Sequence, residues 1–152
     1  VVVQRMRTAG LLHDIGKVAI PQSLLNKPGR LTTEEFAKLM THPVVGWEIC
    51  KPLRTAQSVL DCILYHHERF DGSGYPEGLA GEKIPYQARL LAVADALDAL
   101  TSERAYRRSL SVDEAVELLG QETDAGKWDP DIYAALTRLA ERGQADPRRL
   151  EN

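Results

Sequence analysis

The sequence has few of the features that mark disulfide-rich, membrane-spanning or nucleic-acid-binding proteins. Its 152 residues include only two cysteines, Cys50 and Cys62, with no CxxC spacing, a pattern typical of reduced thiols rather than a disulfide framework. The formal net charge of −3 argues against nucleic-acid binding, which usually requires a basic excess. No apolar run approaches the roughly 18 residues of a membrane span, and the first residues do not resemble a signal peptide. We therefore expect a soluble, cytoplasmic protein with no membrane span and no nucleic-acid partner.

Strand-like alternation is nearly absent, and apolar residues instead recur at helical spacing. Helices are predicted over residues 1–12, 33–40, 55–68, 86–100, 112–121 and 130–142. Two capping boxes, Thr32 with Glu35 and Ser111 with Glu114, mark two of the starts, and Asp129 supplies an N-cap for the last helix. The length suits one domain. We expect an all-α domain over residues 1–143, with residues 144–152 as a frayed tail.

Four glycines and two prolines interrupt this helical pattern between Phe70 and Pro85. That density is typical of a shaped loop rather than of regular structure. The loop follows the doublet His66-His67 almost directly, at the end of a predicted helix. We therefore expect it to lie beside any site that contains these histidines.

All four histidines of the chain belong to a set of candidate metal ligands in separated segments. The candidates are His13, Asp14, His42, His66, His67 and Asp95. Imidazole and carboxylate groups are common protein ligands of first-row transition metals. A helix-end histidine with a hydrogen-bonding aspartate is the alternative for His13-Asp14, at a helix end that we expect Gly16 to terminate. An isolated His-His pair is otherwise most often exposed, as is a histidine before a proline such as His42.

Asp95 is the most informative of these candidates because it interrupts an apolar helical run. Burying an unpaired carboxylate is costly, so the pattern predicts a cation beside it. The alternative is an ion pair with a base such as Arg89. Asp98, one turn later, is predicted to orient a ligand histidine or to accept a hydrogen bond from a basic side chain.

The order of these motifs resembles the HD-GYP family, a branch of the HD metal-dependent phosphohydrolases. The matching segments are HDIGK from His13, the HP pair at His42, HHE from His66, DGSGYP from Asp71, and ARLLAVAD ending at Asp95. The resemblance runs from about Ala9 to Ser111. It implies an all-α HD-domain bundle that holds two or three metal ions, iron or manganese, and hydrolyses cyclic di-GMP to pGpG and onward to GMP.

Carried over by position, the resemblance also implies roles for individual residues. The six candidates above become metal ligands, and Asp14 bridges two ions. Lys17 matches the family lysine at the scissile phosphate, so Asp14 and Lys17 are the implied catalytic residues. A metal pair lowers the pKa of bound water from about 15.7 toward about 7, which supplies a hydroxide nucleophile for a phosphodiester at neutral pH.

Three further residues are implied to bind substrate. Tyr75 of the GYP motif is a candidate for stacking on a guanine or for shaping the mouth of the site, with a packed turn tyrosine as the alternative. Arg104 and Arg107 match basic positions that contact phosphates and guanines, and solvated arginines are the alternative reading. Ala105 stands where family members commonly have proline. We expect the absence of that proline to loosen the loop that carries Arg104 and Arg107.

Family members also take a histidine, and often a glutamate, from a helix well upstream of the HD pair. Because the chain begins a dozen residues before His13, we expect one metal position to be incomplete and this piece to be inactive on its own. We expect it to derive from a longer protein with an upstream receiver or sensor domain, and we expect exposed apolar surface to favour a homodimer. Two other functions stay open: a different HD-type nucleotide phosphohydrolase, or a non-catalytic module that binds GGDEF domains through the GYP loop.

Overall fold

The structure is a computed structural model that describes residues 1–103 and 108–146. Within these residues it contains α-helices and short 3-10 segments but no strand. The α-helices are α1 (Val2–Leu12), α2 (Gln22–Leu25), α3 (Thr33–Leu39), α4 (His42–Cys50), α5 (Gln57–Tyr65), α6 (Tyr86–Thr101), α7 (Val112–Asp124) and α8 (Pro130–Glu141). The 3-10 segments are Ile15–Ala19, Lys51–Leu53 and Gly81–Lys83. The all-α prediction is confirmed.

The predicted capping residues begin the helices expected of them. Thr32 and Glu35 form a reciprocal capping box at α3, and Ser111 and Glu114 form another at α7. The Asp129 carboxylate accepts backbone amides in the first turn of α8. Each cap satisfies amides that have no partner inside the helix, so these starts are encoded locally.

Helix α6 lies between two apolar clusters and contributes to both. The first cluster joins α1, α4 and α5 to α6 through Ala9, Cys50, Val59, Leu60, Cys62, Ile63 and Leu91. The second joins α6 to α7 and α8 through Ala92, Val93, Leu97, Ala115, Leu119, Trp128, Ile132, Leu136 and Ala145. Because Ala145 is buried, core contacts extend past the predicted boundary at residue 143.

Gly16 does not end a helix, and its predicted role was wrong. Helix α1 ends at Leu12, and Gly16 lies inside the following 3-10 segment. A Cβ on Gly16 would lie 1.9 Å from the carbonyl oxygen of His42 and 2.6 Å from the amide nitrogen of Gly46. Only glycine therefore allows this segment to pack directly on the backbone of α4, which brings the HD pair close to His42.

Helix α5 is shorter than predicted, since it ends at Tyr65 rather than at residue 68. His66 and His67 consequently follow the helix instead of lying in its last turn. The next segment, through the glycine-rich loop, contains an isolated antiparallel bridge between Asp71 and Ala80. The loop folds back on itself beside the two histidines.

No helix in residues 1–103 or 108–146 combines the length and apolar character needed to cross a membrane. Helix α1 buries Ala9 but exposes Val2, Val3 and Leu11. This apolar surface is the feature on which the homodimer prediction depends, and the dimer stays a prediction.

Candidate metal centre

Three of the four histidines follow the C-terminal end of a helix and use the same anchor. The ring Nδ1 of each lies within hydrogen-bonding distance of the carbonyl three residues earlier: His13 to Gly10 at 2.7 Å, His42 to Leu39 at 2.7 Å, and His66 to Ile63 at 2.9 Å. The last carbonyls of a helix lack intrahelical partners, so the histidine side chains satisfy them. The helix ends thereby fix the orientation of each ring.

This anchoring decides which ring nitrogen is left for a ligand. A carbonyl can only accept, so Nδ1 must carry the proton and, in a neutral ring, Nε2 must present a lone pair. The Nε2 atoms of His42 and His66 nevertheless lie 3.4 Å apart. Two acceptors that face each other at this distance repel unless a cation lies between or beside them. Metal-ligating histidines usually show the same arrangement, with the second ring nitrogen bonded to a carbonyl or carboxylate.

Asp14 lies at the centre of the histidines and uses its two oxygens differently. Oδ2 accepts a hydrogen bond from the Lys17 ammonium at 2.6 Å. Oδ1 is buried and has no hydrogen-bond partner among the described residues, although it lies 3.3 Å from Nε2 of His42 and 3.9 Å from Nε2 of His66. A buried carboxylate oxygen surrounded by imidazole lone pairs is the position of a cation ligand.

Four of the six candidates form a compact donor set. One ligand atom from each of Asp14, His42, His66 and His67 lies within 4.8 Å of all the others. The chemistry of this set, three imidazoles and one carboxylate, fits a first-row transition metal. The residues present therefore fit the metal that the sequence motifs implied, and we refer to these four residues as the donor cluster.

The other two candidates adjoin the donor cluster through His13. Nε2 of His13 lies 3.5 Å from Oδ2 of Asp14 and 3.5 Å from Oδ1 of Asp95. The alternative ion pair between Asp95 and Arg89 is wrong, because Arg89 pairs with Asp129 instead. Residues that follow the C-terminal ends of α1 and α5 thus meet His42 of α4 and Asp95 of α6.

The electrostatics favour the neutral forms of His66 and His67 and the ionised forms of Asp14 and Asp95. Burial, with the charge of His13, lowers the pKa of His66 to about 4, and burial with the neighbouring His66 and His42 lowers the pKa of His67 as well. Burial acts to raise the pKa of Asp14, but the hydrogen bond and charge of Lys17, with the charge of His13, outweigh it and hold that pKa well below its usual range. The hydrogen bond with His13 lowers the pKa of Asp95. Neutral imidazoles and ionised carboxylates are the protonation states that metal binding requires.

Comparison with known proteins identifies the family. A family model described as "HD domain" matches residues 2–132. The chain belongs to the HD domain family. Members of this family bind divalent metals, and the donor cluster is its candidate His/Asp metal site here.

Relatives and a solved structure narrow this assignment to the HD-GYP type. The chain is 43% identical, over 137 residues, to a protein of Pseudomonas aeruginosa named a cyclic di-GMP phosphodiesterase, covering 90% of this chain and 33% of that protein. It is 35% identical over 133 residues to a protein of Vibrio cholerae named a 3′3′-cGAMP-specific phosphodiesterase, covering 88% of this chain and 31% of that protein. The chain therefore spans about a third of the length of these relatives.

The fold agrees with this assignment. An HDG"Y"P protein from Bdellovibrio bacteriovorus superposes with a TM-score of 0.71 at 26% identity, over 91% of this chain and 44% of that one. The HD-GYP resemblance drawn from the motifs is thus confirmed.

Tyr75 of this HD domain packs against the donor cluster. Its ring stacks on His67, with centroids 4.8 Å apart and planes 24° from parallel, and it meets Phe36 edge-on at 6.3 Å. Burial raises the pKa of the Tyr75 hydroxyl to about 12. The contact with His67 occupies one face of the ring, which favours the prediction that Tyr75 shapes the site.

Glu68 is a site residue that sequence reasoning missed. This side chain is only 2% exposed, and its carboxylate accepts hydrogen bonds from the backbone amides of Glu77 at 2.8 Å, Gly78 at 3.1 Å and Leu79 at 2.9 Å. Because Glu68 directly follows His67, these hydrogen bonds tie the segment after the GYP motif to the end of the histidine doublet. The signal was available, since a glycine-rich loop exposes amides that need an acceptor and an acidic residue directly precedes it.

Asp98 is not brought to the site, which corrects its predicted supporting role. It is exposed, its carboxylate accepts a weak hydrogen bond from Ser102 at 3.4 Å, and it lies beside residues of α8 such as Ile132 and Leu136. A residue three positions later lies about 60° from the first around the helix axis, and this offset leaves Asp98 beside α8 while Asp95 faces His13. Arg104 and Arg107 lie outside the described residues.

Proposed function

We propose that this HD domain is a metal-dependent phosphodiesterase that hydrolyses cyclic di-GMP to pGpG, and onward to GMP when a third ion binds. The observation that carries the proposal is the donor cluster, in which Asp14 Oδ1 lies unpaired beside imidazole lone pairs. Relatives named as cyclic di-GMP phosphodiesterases support the substrate.

The proposed ligands are the six candidates from the sequence, with Asp14 as the bridge between two ions. Iron or manganese suits the mixture of imidazole and carboxylate donors. Ions held there would lower the pKa of water to near neutrality and offset the negative charge of the phosphodiester.

The protein's own side chains would position and neutralise the substrate. Lys17 donates from its ammonium to Oδ2 of Asp14, and its side chain is 38% exposed. In this proposal it approaches a phosphate oxygen and stabilises charge in the transition state. Tyr75 holds the ring of His67 in place by stacking. Arg104 and Arg107 stay proposed contacts to phosphate and guanine. A homodimer, an upstream receiver domain and GGDEF partners stay predictions of the sequence.

A second dinucleotide substrate is favoured by one observation. Relatives named as 3′3′-cGAMP-specific phosphodiesterases match almost as much of the chain as those named for cyclic di-GMP. The two cyclic dinucleotides share both phosphodiester linkages and one guanine. The names of the relatives do not favour a non-catalytic GGDEF-binding module.

The test combines metal analysis with a substrate panel. The full-length protein, purified without oxygen, is analysed for its metals and then incubated with cyclic di-GMP, 3′3′-cGAMP and mononucleotides, with products separated chromatographically. We expect iron or manganese together with conversion of cyclic di-GMP to pGpG. Hydrolysis of mononucleotides alone would select another HD-type phosphohydrolase, and a metal-loaded protein that cleaves none of these would refute the proposal.

A further inference from the structure

A cavity of about 330 Å³ extends from the donor cluster toward the loop between α7 and α8. Its floor is the small-residue face of α6. One end is lined by His66, His67 and Asp95, and the other by Arg69, Lys127 and Trp128. The volume lies within the usual range of small-ligand pockets. We call Arg69, Lys127 and Trp128 the second wall, and a ligand that fills the cavity from the metal ligands would contact it.

Arg69 dominates the second wall because its guanidinium is held but unpaired. The guanidinium carbon lies 4.3 Å from the centroid of the Trp128 ring. No residue in 1–103 or 108–146 accepts a hydrogen bond from it, whereas the guanidinium of Arg89 pairs with Asp129. Stacking on an aromatic face fixes a guanidinium plane while leaving its edge donors available. Arg69 therefore presents a rigid fork of N–H groups to the cavity.

The Trp128 ring on which Arg69 stacks is itself fixed. Trp128 is buried, and its indole N–H donates to Oε2 of Glu122 at 2.7 Å. The other oxygen of Glu122 accepts a hydrogen bond from the Lys127 ammonium at 2.5 Å. Because Glu122 and Lys127 neutralise each other, the wall keeps the one positive charge of Arg69. A preformed site of this kind loses little side-chain entropy when it binds an anion.

We propose that Arg69 binds the phosphodiester of the cyclic dinucleotide that is not being cleaved, a proposal that rests on the proposed function. One phosphodiester must lie at Asp14 and Lys17 for hydrolysis. The molecule carries a second phosphodiester on the opposite side of its ring, and the cavity leads from the donor cluster to Arg69. The guanidinium fork matches two non-bridging phosphate oxygens in geometry and in charge. Arg69 thus selects for substrates with two phosphates.

The test compares a substrate with two phosphodiesters and one with a single phosphodiester. Arg69→Gln, Arg69→Lys and the control Arg138→Gln are assayed in the metal-loaded full-length protein with cyclic di-GMP and with bis(4-nitrophenyl) phosphate. Arg138 is exposed on α8 and controls for the loss of one charge. For Arg69→Gln we expect a KM for cyclic di-GMP about 10–100-fold above that of the wild type, as for loss of a charged hydrogen bond. We expect unchanged kinetics with the small diester and an intermediate KM for Arg69→Lys.

A binding measurement separates this proposal from the proposed function. Cyclic di-GMP is titrated calorimetrically into wild type and Arg69→Gln in the presence of a chelator, and circular dichroism confirms equal helix content. Weaker binding by the variant supports a contact with Arg69 even if the wild type proves unable to cleave the dinucleotide. Equal affinity, including no binding by either protein, overturns the proposal, and so does an equal loss of activity on both substrates.

Discussion

Two regions of this HD domain bury carboxylate oxygens, and only one of them supplies every buried oxygen with a hydrogen bond. Where α6 meets α8, Asp129 is 5% exposed, pairs with Arg89 and caps α8 with its other oxygen. In the donor cluster, Asp14 keeps a buried oxygen without a hydrogen bond, and two Nε2 atoms face each other at 3.4 Å.

This difference separates buried charged groups that stabilise the fold from those that are suited to bind a ligand. Burial of a polar group is tolerated when its hydrogen bonds are complete, and the Asp129 carboxylate meets that condition because both of its oxygens accept hydrogen bonds. Its partner Arg89 keeps its buried Nε without a hydrogen bond among the described residues. The donor cluster meets it only with an added cation. Two substitutions of aspartate should therefore have opposite consequences for stability and for metal binding.

The largest effect is expected from Asp14→Ala. Loss of the carboxylate that we propose as the bridge should reduce metal content to background and turnover by at least about a thousandfold, because bound ions would contribute several kcal/mol to the transition state. The free energy of unfolding of the metal-free protein should change by less than about 1 kcal/mol, because removal of the unsatisfied oxygen offsets loss of the partly exposed ion pair with Lys17. Elemental analysis, chromatographic turnover and urea unfolding measure the three quantities.

Asp98→Ala is the matched control for this substitution. It removes an exposed aspartate on α6 that contacts Ser102 rather than the histidines. Metal content and turnover should equal those of the wild type. A loss of metal from Asp98→Ala, or normal turnover in Asp14→Ala, would contradict the assignment of the donor cluster.

A second prediction tests where the donor cluster stops along α5. Cys62 precedes His66 by one turn and is a potential ligand, but it is fully buried among apolar residues, and burial raises the pKa of its thiol to about 12. The thiolate fraction at pH 8 should be about 1000-fold below that of an ordinary cysteine, so alkylation by iodoacetamide should be slow until the protein unfolds. Because the raised pKa disfavours the thiolate in the folded state, stability should fall as the pH rises above about 9.

Mass spectrometry of the alkylated protein, with an unfolded sample as control, measures this reactivity. If Cys62 is labelled rapidly in the folded metal-free protein and bound metal prevents that labelling, the thiol belongs to the metal centre.

The third prediction addresses the paired region. Asp129→Ala leaves the Arg89 guanidinium buried without its partner and removes the N-cap of α8, so the free energy of unfolding should fall by about 3–5 kcal/mol. Metal content per folded molecule should not change. Urea unfolding measures the loss, and Asp129→Asn, which keeps the cap but not the charge, should lose less. Stability equal to that of the wild type would show that the pair contributes nothing.

This contrast also explains how much the sequence could predict. Helix starts were predicted correctly where a residue and its partner lie within four positions, as in the capping boxes of Thr32 and Ser111. The six ligand candidates could be named because histidine and aspartate are informative residue types and their motifs are ordered along the chain. The structure groups four of them in the donor cluster and brings His13 and Asp95 beside it, and their role as ligands stays a prediction.

Predictions that depend on long-range packing were less successful. The role of Gly16 depends on the backbone of α4, which a local pattern cannot show. Asp98 was assigned to the site from spacing alone, although it is offset from Asp95 by about 60° around the helix axis and contacts Ser102 instead. Arg69 was given no role because its partner, Trp128, lies too far along the chain for a local motif to reveal the contact. Glu68 was quoted only as part of the HHE motif, although the amides of the loop that follows it need an acceptor.

The smallest effect is expected from Glu68→Gln, which alters a carboxylate that is buried and fully paired. One oxygen of Glu68 accepts hydrogen bonds from two backbone amides, and the other oxygen accepts one from a third. A glutamine must turn its NH₂ group toward at least one of these N–H donors, so the free energy of unfolding should fall by about 2–3 kcal/mol. Because Tyr75 precedes the tethered amides, its stacking on His67 should loosen, and turnover should fall while metal content is retained. Glu77→Gln, at an exposed position in the same loop, is the control and should leave stability and turnover near wild type. A Glu68→Gln protein within about 0.5 kcal/mol of wild type would show that the loop is held by its own turns rather than by this carboxylate.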